Sequence, residues 1–228
     1  NLKSHDQGRT FEIIDATLRD LGYDFLPQII DSAGWVPQHR ERIYIVGFRR
    51  DLNIAHLLSG IFPPKPEHRL YELADMLETP EEITRKYGDK YTVTAGTWEA
   101  LKRHKKNHEA KGNGFGHCVI SQPYDGKVTR TISARYYKDG AEILIDQGPK
   151  RRPRRLTPLE AYRLQGFPQQ FENLYQGLNN NPVSDSLVYK QMGNSVSVPV
   201  LQAIAINMVN VLEPILEQLN IQQGALTR

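Results

Sequence analysis

Arg42-Ile43-Tyr44-Ile45-Val46-Gly47-Phe48-Arg49 is apolar at consecutive positions between two arginines. Side chains of a strand alternate between faces, so an uninterrupted apolar run is expected where both faces are covered, as in the middle of an α/β sheet. Upstream, Phe11, Ile14, Leu18 and Leu21 recur at helical spacing over residues 9–22, and Gly22 is placed to end that helix. A short strand is expected around residues 25–30. Few other segments have this character, and half a sheet with two apolar faces leaves an exposed edge. The remaining strands are therefore expected on another polypeptide or on a portion outside this sequence.

Residues 112–145 have a different texture. Gly112-Asn113-Gly114-Phe115-Gly116 precedes Val128-Thr129-Arg130-Thr131-Ile132-Ser133-Ala134-Arg135-Tyr136-Tyr137-Lys138-Asp139-Gly140-Ala141-Glu142-Ile143. No apolar residue recurs every three or four positions, so short twisted strands and loops are expected rather than a helix. Glycines permit tight turns and close approach, and the hydroxyls, cations and aromatics between them are groups that contact phosphates and base edges. A basic run, Leu101-Lys102-Arg103-His104-Lys105-Lys106-Asn107-His108, comes just before. Lys150-Arg151-Arg152-Pro153-Arg154-Arg155 comes just after. The whole reads as a nucleic-acid recognition module framed by phosphate-gripping charge, or alternatively as a solvated basic insert.

The bulk figures exclude little by themselves. Net charge is only +3 over 228 residues, but five Lys/Arg fall in 102–111 and five in 150–155, so clustering matters more than the total. No unbroken apolar run reaches the ~18 residues of a membrane span, and none is expected. The single cysteine, Cys118, rules out an internal disulfide and a multi-cysteine zinc site, and fits a reducing cytoplasm. Asn1-Leu2-Lys3-Ser4-His5-Asp6 does not resemble a signal peptide, and the chain reads as the continuation of something longer.

Helices are also expected near 72–77, over 97–110 and over 157–165. The last has Thr157 as N-cap, Pro158 at the first helical position and Glu160 three residues after the cap. Residues 169–181 read as a polar connector. A long C-terminal helix is expected, capped by Ser197, with Val200, Ile204, Met208, Val211 and Leu212 as its buried stripe and a kink or break at Pro214.

Three segments resemble the bacterial cytosine-C5 DNA methyltransferases. Pro37-Gln38-His39-Arg40-Glu41-Arg42-Ile43-Tyr44-Ile45-Val46-Gly47-Phe48-Arg49 is similar to that family's Gln-x-Arg-x-Arg block. Arg154-Arg155-Leu156-Thr157-Pro158-Leu159-Glu160-Ala161-Tyr162-Arg163-Leu164-Gln165-Gly166-Phe167-Pro168 is similar to its penultimate block, and Tyr189-Lys190-Gln191-Met192-Gly193-Asn194-Ser195-Val196 to its last. The stretch 112–145 looks most like the branch that reads CC(A/T)GG or related CC-GG sites. The family's Gly-rich cofactor loop, acidic ribose-binding residue, Pro-Cys nucleophile and Glu-Asn-Val block do not occur in these 228 residues.

The resemblance implies an α/β fold: the C-terminal part of a Rossmann-like, S-adenosylmethionine-dependent methyltransferase sheet plus a small, mostly β target-recognition domain. It implies four regions: 1–60 in the catalytic domain, 61–153 as the recognition domain, 154–182 as a motif-bearing helix and connector, and 183–228 as a helix returning to the catalytic domain. The family's reaction adds a cysteine thiolate to C6 of a cytosine flipped out of double-stranded DNA, because those ring atoms are inaccessible inside the stack. Here Arg42 would lie beside the flipped base, with Gln38 and Arg40 orienting neighbouring groups, since a fixed guanidinium stabilises charge developing on the ring. Asn194 and Ser195 would hydrogen-bond the amino-acid end of S-adenosylmethionine, and Gly193 would let the backbone approach a ligand. Arg154 and Arg155 would organise the base of the recognition domain.

For DNA contact the resemblance and the residue types point to Gly114, Gly116, Arg130, Thr131, Arg135 and Tyr136. Thr131 would touch the phosphate beside the flipped nucleotide, and Arg130 and Arg135 are candidates for bidentate contacts to guanine. Tyr136 and Tyr137 have either a DNA or a core role. Cys118 lies within the recognition stretch rather than after a proline, so an incidental or buried thiol is expected. No metal site is expected. The implied partners are double-stranded DNA and an N-terminal catalytic half, with no membrane, and the implied location is a bacterial cytoplasm. A non-catalytic, sequence-specific DNA-binding relative is the alternative, against which the retained Gln38, Arg40, Arg42, Asn194 and Ser195 speak.

Overall fold

A computed structural model describes residues 2, 3, 5–169 and 183–226. The polar connector expected at 169–181 lies, apart from its first residue, outside the described residues. The chain divides into two compact units, one of residues 1–31, 41–65 and 199–228, the other of residues 32–40 and 66–198.

The first unit is built on a two-stranded antiparallel sheet. Helix α1 (Arg9–Asp20) ends at Leu21, and Gly22 takes a φ of 81°, a left-handed turn that only glycine adopts without strain. Strand β1 (Tyr23–Asp31) then pairs with β2 (Glu41–Arg49), with Phe25 opposite Gly47. A Cβ on Gly47 would stand 2.9 Å from that of Phe25, so a bare backbone is needed there. Within this chain one face of β2 is covered more than the other. Tyr44, Val46 and Phe48 are buried, whereas Ile43 and Ile45 between them are only half-buried, the period-2 pattern of a strand with one covered face. The 3-10 segment Ala55–Gly60 packs on both strands. On α1, Ile13 and Leu21 are well exposed, and Leu26 and Ile29 of β1 are each 37 % exposed.

The long C-terminal helix runs Val198–Leu226, and Pro214 sits inside it without ending it. A proline at that position costs one backbone bond and leaves a continuous helix here. Val200 and Ile204 of the expected stripe are buried, while Met208, Val211 and Leu212 are half-buried. Leu201, Ile206, Val209 and Leu216 are about half exposed. By length and composition alone, the segment Val198–Leu216 is apolar enough to cross a membrane, although polar residues interrupt the run. Asn207 of this helix donates to the Ile61 carbonyl at 3.0 Å. The expected cap is absent: the Ser197 hydroxyl is buried and finds no hydrogen-bond partner.

The second unit holds the motifs. Short helices α2 (Leu73–Met76) and α3 (Pro80–Tyr87) come first. Helix α3 is not among the expected elements, although Thr79-Pro80-Glu81-Glu82 carries a full capping box, with Thr79 accepting from the Glu82 amide and Glu82 from that of Thr79. Helix α4 (Ala95–Glu109) carries the first basic run. Strands β3 (Val119–Ile120), β4 (Leu144–Ile145) and β5 (Arg154–Arg155) form a small sheet, β3 parallel and β5 antiparallel to the central β4. Helix α5 (Pro158–Arg163) starts at the expected Thr157–Glu160 capping box, and Gly166 turns the chain at φ 74°. Helix α6 (Asp185–Asn194), capped by Ser184, is not among the expected elements. One core joins these pieces: Ile132, Tyr136, Ile143, Ile145, Leu156, Tyr162, Tyr189 and Met192 are among its buried members.

Candidate functional site

Residues 32–40 fold into a closed loop of the second unit. The Ser32 hydroxyl donates to the Gln38 carbonyl at 2.8 Å, and the Ser32 amide to that of Arg40 at 3.2 Å. A backbone ladder then binds the loop to the central stretch: the His39 amide donates to Thr129 at 2.9 Å and the Thr129 amide to Pro37 at 2.8 Å.

Two side chains from this loop reach further. Gln38, fully buried, accepts from the Ile132 amide at 3.0 Å and donates to the Leu164 carbonyl at 3.2 Å. Arg40, 1 % exposed, donates through Nη1 to the Ile132 carbonyl at 3.0 Å, through Nη2 to that of Gly193 at 2.6 Å and through Nε to that of Ser195 at 3.1 Å. Segments separated by more than ninety positions in sequence thus meet on these two residues. Buried carbonyls need donors, and a planar guanidinium with five N–H groups serves several at once. The polar atoms of Gln38 and Arg40 are spent on the backbone of Ile132, of Leu164 and of the Gly193–Ser195 turn.

Arg42 belongs to the first unit. It is half-buried, and its Nη1 donates to the neighbouring Glu41 carbonyl at 2.8 Å. Asn194 is exposed at the end of α6, and the half-buried Ser195 follows as its C-cap, with its hydroxyl donating to the Met192 carbonyl at 2.9 Å. Gly193 does need to be glycine, but the reason differs from the one expected. An added Cβ would stand 2.2 Å from the Ala134 nitrogen and 2.3 Å from the Ser133 carbonyl carbon, so the close approach is to the protein's own backbone.

Among the expected DNA-contacting residues, Arg130 and Arg135 are exposed. Arg130 also ties the glycine-rich loop down, donating to the Gly116 carbonyl at 2.7 Å. Gly116 adopts φ 153° with its α-carbon against Lys105, whereas Gly114 has open space around it. Thr131 donates its hydroxyl proton to the His39 carbonyl at 2.5 Å, which leaves its oxygen lone pairs as the group to meet a donor. Tyr136 requires a correction. It is fully buried, its hydroxyl donates to Ile143 at 2.6 Å and accepts from the Leu156 amide at 2.8 Å, and its ring meets Tyr189 edge-on at 5.1 Å. Burial pushes its phenol far above the ordinary tyrosine range. It is a core residue and does not reach DNA. Cys118 packs partly buried against the same core.

The second basic run also differs from the expected phosphate grip. Arg154 is 5 % exposed and bidentate to Glu160, both bonds at 2.7 Å. Burial opposes its charge, and the Glu160 carboxylate outweighs that, holding the guanidinium above its usual range. Glu160 also caps its own helix through the Thr157 amide at 2.7 Å and accepts from the Glu78 amide at 2.8 Å. Glu78, equally buried, accepts from the Thr157 hydroxyl at 2.7 Å and from Lys86 at 2.8 Å. Arg155 donates to the Tyr137 carbonyl at 3.0 Å, Arg152 to that of Val93 at 2.7 Å, and Arg151 pairs with Asp89. Arg154 is thus spent on Glu160 in the interior, while Lys150, Arg151 and Arg152 remain exposed. The signal for Glu160 was present in its capping motif; nothing in the sequence marked Glu78.

The first run is more open. Lys102, Arg103 and Lys106 are exposed on α4, with Lys102 near Glu99 and over the Trp98 ring. His117, beneath them, is held towards its neutral form by burial and by Lys105 and Arg130 nearby, against a 3.2 Å bond to the Leu101 carbonyl. Among the described residues no group of three or more His, Cys, Asp or Glu side chains is placed to hold a metal.

Residues 1–210 match the C-5 cytosine-specific DNA methylase family. The DNA-cytosine methyltransferase of Escherichia coli K12 is 45 % identical, over 96 % of this chain and 48 % of its own length. The type II methyltransferase M1.ScrFI of Lactococcus lactis subsp. cremoris is 44 % identical over 93 % of this chain and 50 % of its own. The chain spans about half the length of the curated relatives it matches. In structure it is similar to the S. pombe Dnmt2 methyltransferase, with a TM-score of 0.65 at 17 % identity over 94 % of this chain and 64 % of that one.

Proposed function

Since the chain belongs to the C-5 cytosine-specific DNA methylase family, we propose that it is the DNA-recognising portion of a DNA (cytosine-5-)-methyltransferase acting on a CC(A/T)GG-like site. The observation that carries this reading is the node at Gln38 and Arg40, which holds the backbone between the exposed Arg130 and Arg135 and the Gly193–Ser195 turn in one unit. A protein that only binds DNA has no use for tying its recognition loop to a cofactor-side turn.

In this reading Arg130 and Arg135 face double-stranded DNA, with Thr131 between them anchored to the His39 carbonyl, Gly114 and Gly116 shape the loop beside them, and Arg42 stands by the flipped cytosine. Asn194 and Ser195 contribute part of the site for S-adenosylmethionine. The exposed carboxamide of Asn194 can donate and accept, which fits an amino-acid moiety with both ammonium and carboxylate. When bound, that cofactor supplies the methyl group. The nucleophile, the glutamate and the Gly-rich loop are assigned to the additional length that the relatives possess, and the chain by itself is inactive. Residues 1–60 and 183–228 are the parts that join that catalytic half, with 61–153 reading DNA. The half-exposed Leu201, Ile206, Val209 and Leu216 of the last helix are the kind of surface such a half covers, so no membrane is invoked. The setting is the bacterial cytoplasm.

The test is transfer of labelled methyl to a CC(A/T)GG duplex, with this chain alone and with the N-terminal half of a relative supplied. Label transfer is expected only for the pair; transfer by the chain alone, or none from the pair, refutes the reading. In the reconstituted enzyme, Arg42→Ala is expected to lower turnover far more than DNA affinity, and equal losses would count against its place beside the base.

A further inference from the structure

Phe115 is the most exposed large apolar residue among the described residues, at 69 %. The backbone beneath it is not slack. The Gly112 amide donates to Glu109 at 3.0 Å and that of Asn113 to His108 at 3.2 Å, and the Asn113 side chain bonds His108 Nδ1 at 2.6 Å. Arg130 holds the Gly116 carbonyl on the other side. Behind the ring stands His108, 5.7 Å away between centroids, and behind that His104, a further 4.3 Å. The loop therefore presents an apolar ring outward from a braced, slender tip, at the expense of leaving it in water.

Phe115 and Arg130 line the same open cleft, of about 710 Å³, with Asp139 and Glu142 on its wall. Of the groups that base pairs offer in the major groove, the thymine C5-methyl is the apolar one, and arginine pairs with guanine O6 and N7. In CC(A/T)GG the central thymine is followed by guanine on its own strand whichever way the central pair faces. A ring on the glycine-rich loop and the guanidinium that braces that loop from the neighbouring segment, both lining one cleft, match that neighbouring pair of groups. Resting on the recognition reading above, we propose that Phe115 is a specificity determinant that contacts the methyl group of the central thymine while Arg130 contacts the adjacent guanine.

The experiment measures binding of the purified chain, at fixed salt, to a CC(A/T)GG duplex, to a scrambled duplex, and to the site with the central thymine replaced by uracil, which removes only the methyl group. The wild-type chain is expected to prefer the site over the scrambled duplex and to lose about four-fold on the uracil duplex, the effect of one methyl group removed from an apolar contact. Phe115→Ala is expected to bind the thymine and uracil duplexes equally, and Phe115→Leu, which retains apolar bulk, to recover part of the difference. Because the ring is exposed, neither variant disturbs the core. A wild-type chain that prefers the site yet ignores the methyl group, or a Phe115→Ala variant that still senses it, overturns the assignment of Phe115 alone. No preference for the site over the scrambled duplex overturns the recognition reading and this inference with it.

Discussion

Replacing Arg40 by alanine removes the donor shared by two buried carbonyls, those of Ile132 and Gly193, and by the half-buried one of Ser195. Each carbonyl left without a partner costs about 1–3 kcal/mol, the half-buried one at the low end, a gross loss of roughly 3–7 kcal/mol. Against this stands relief of the several kcal/mol needed to bury a guanidinium, and water entering the vacated volume recovers some bonds. The net expectation is a loss of about 3–5 kcal/mol, a large share of the roughly 5–15 kcal/mol that stabilises a domain. Trp35 and Trp98 are the chain's two tryptophans, and both lie in the unit that Arg40 braces. Urea unfolding followed by tryptophan fluorescence therefore reports on the affected part. With a slope of about 2 kcal/mol per molar, the midpoint should fall by about 1.5–2.5 M. Arg40→Lys should fall between, because an ammonium is a compact point charge and cannot span three acceptors. A loss below about 1 kcal/mol at unchanged slope would show that the node does not hold the recognition stretch to the last motif.

Gly193→Ala places a methyl group 2.2–2.4 Å from the backbone of Ser133 and Ala134, which cannot rotate away, and should destabilise by more than about 2 kcal/mol. Gly114→Ala, with open space at that position, should change stability by less than about 0.5 kcal/mol, and thermal unfolding of the pair checks both. Burial pushes the Tyr87 phenol up to about 12 and those of Tyr136 and Tyr189 further. The folded state holds these protons more tightly than the unfolded chain, so the associated stability is intact below pH 10 and declines as pH rises through and beyond that value. Tyrosinate absorbance should show fewer than the full eleven tyrosines ionising near pH 10 until the protein unfolds. Complete titration with the fold intact would refute the burial argument.

Local order in the chain determined what could be read locally. The capping box at Thr157–Glu160, the left-handed glycines at 22 and 166, and the apolar run of β2 all depend on near neighbours, and their elements were legible from residue type and spacing. The ordered motif blocks likewise pointed to the family before any coordinates. What the tertiary structure decided was the fate of side chains whose partners are distant in sequence. The sequence left Tyr136 between a DNA role and a core role and named no partner for Arg154, and each went into the core because a carbonyl, an amide or a carboxylate arrived to satisfy it. Gly193 showed only that bare backbone was wanted, and folding alone specified the Ser133–Ala134 backbone as what approaches it. Phe115 was one more aromatic in a glycine-rich string until the fold braced its loop and left its ring in solvent. Capping and turn energies act within a few residues, whereas burial and hydrogen-bond satisfaction depend on which distant segments meet.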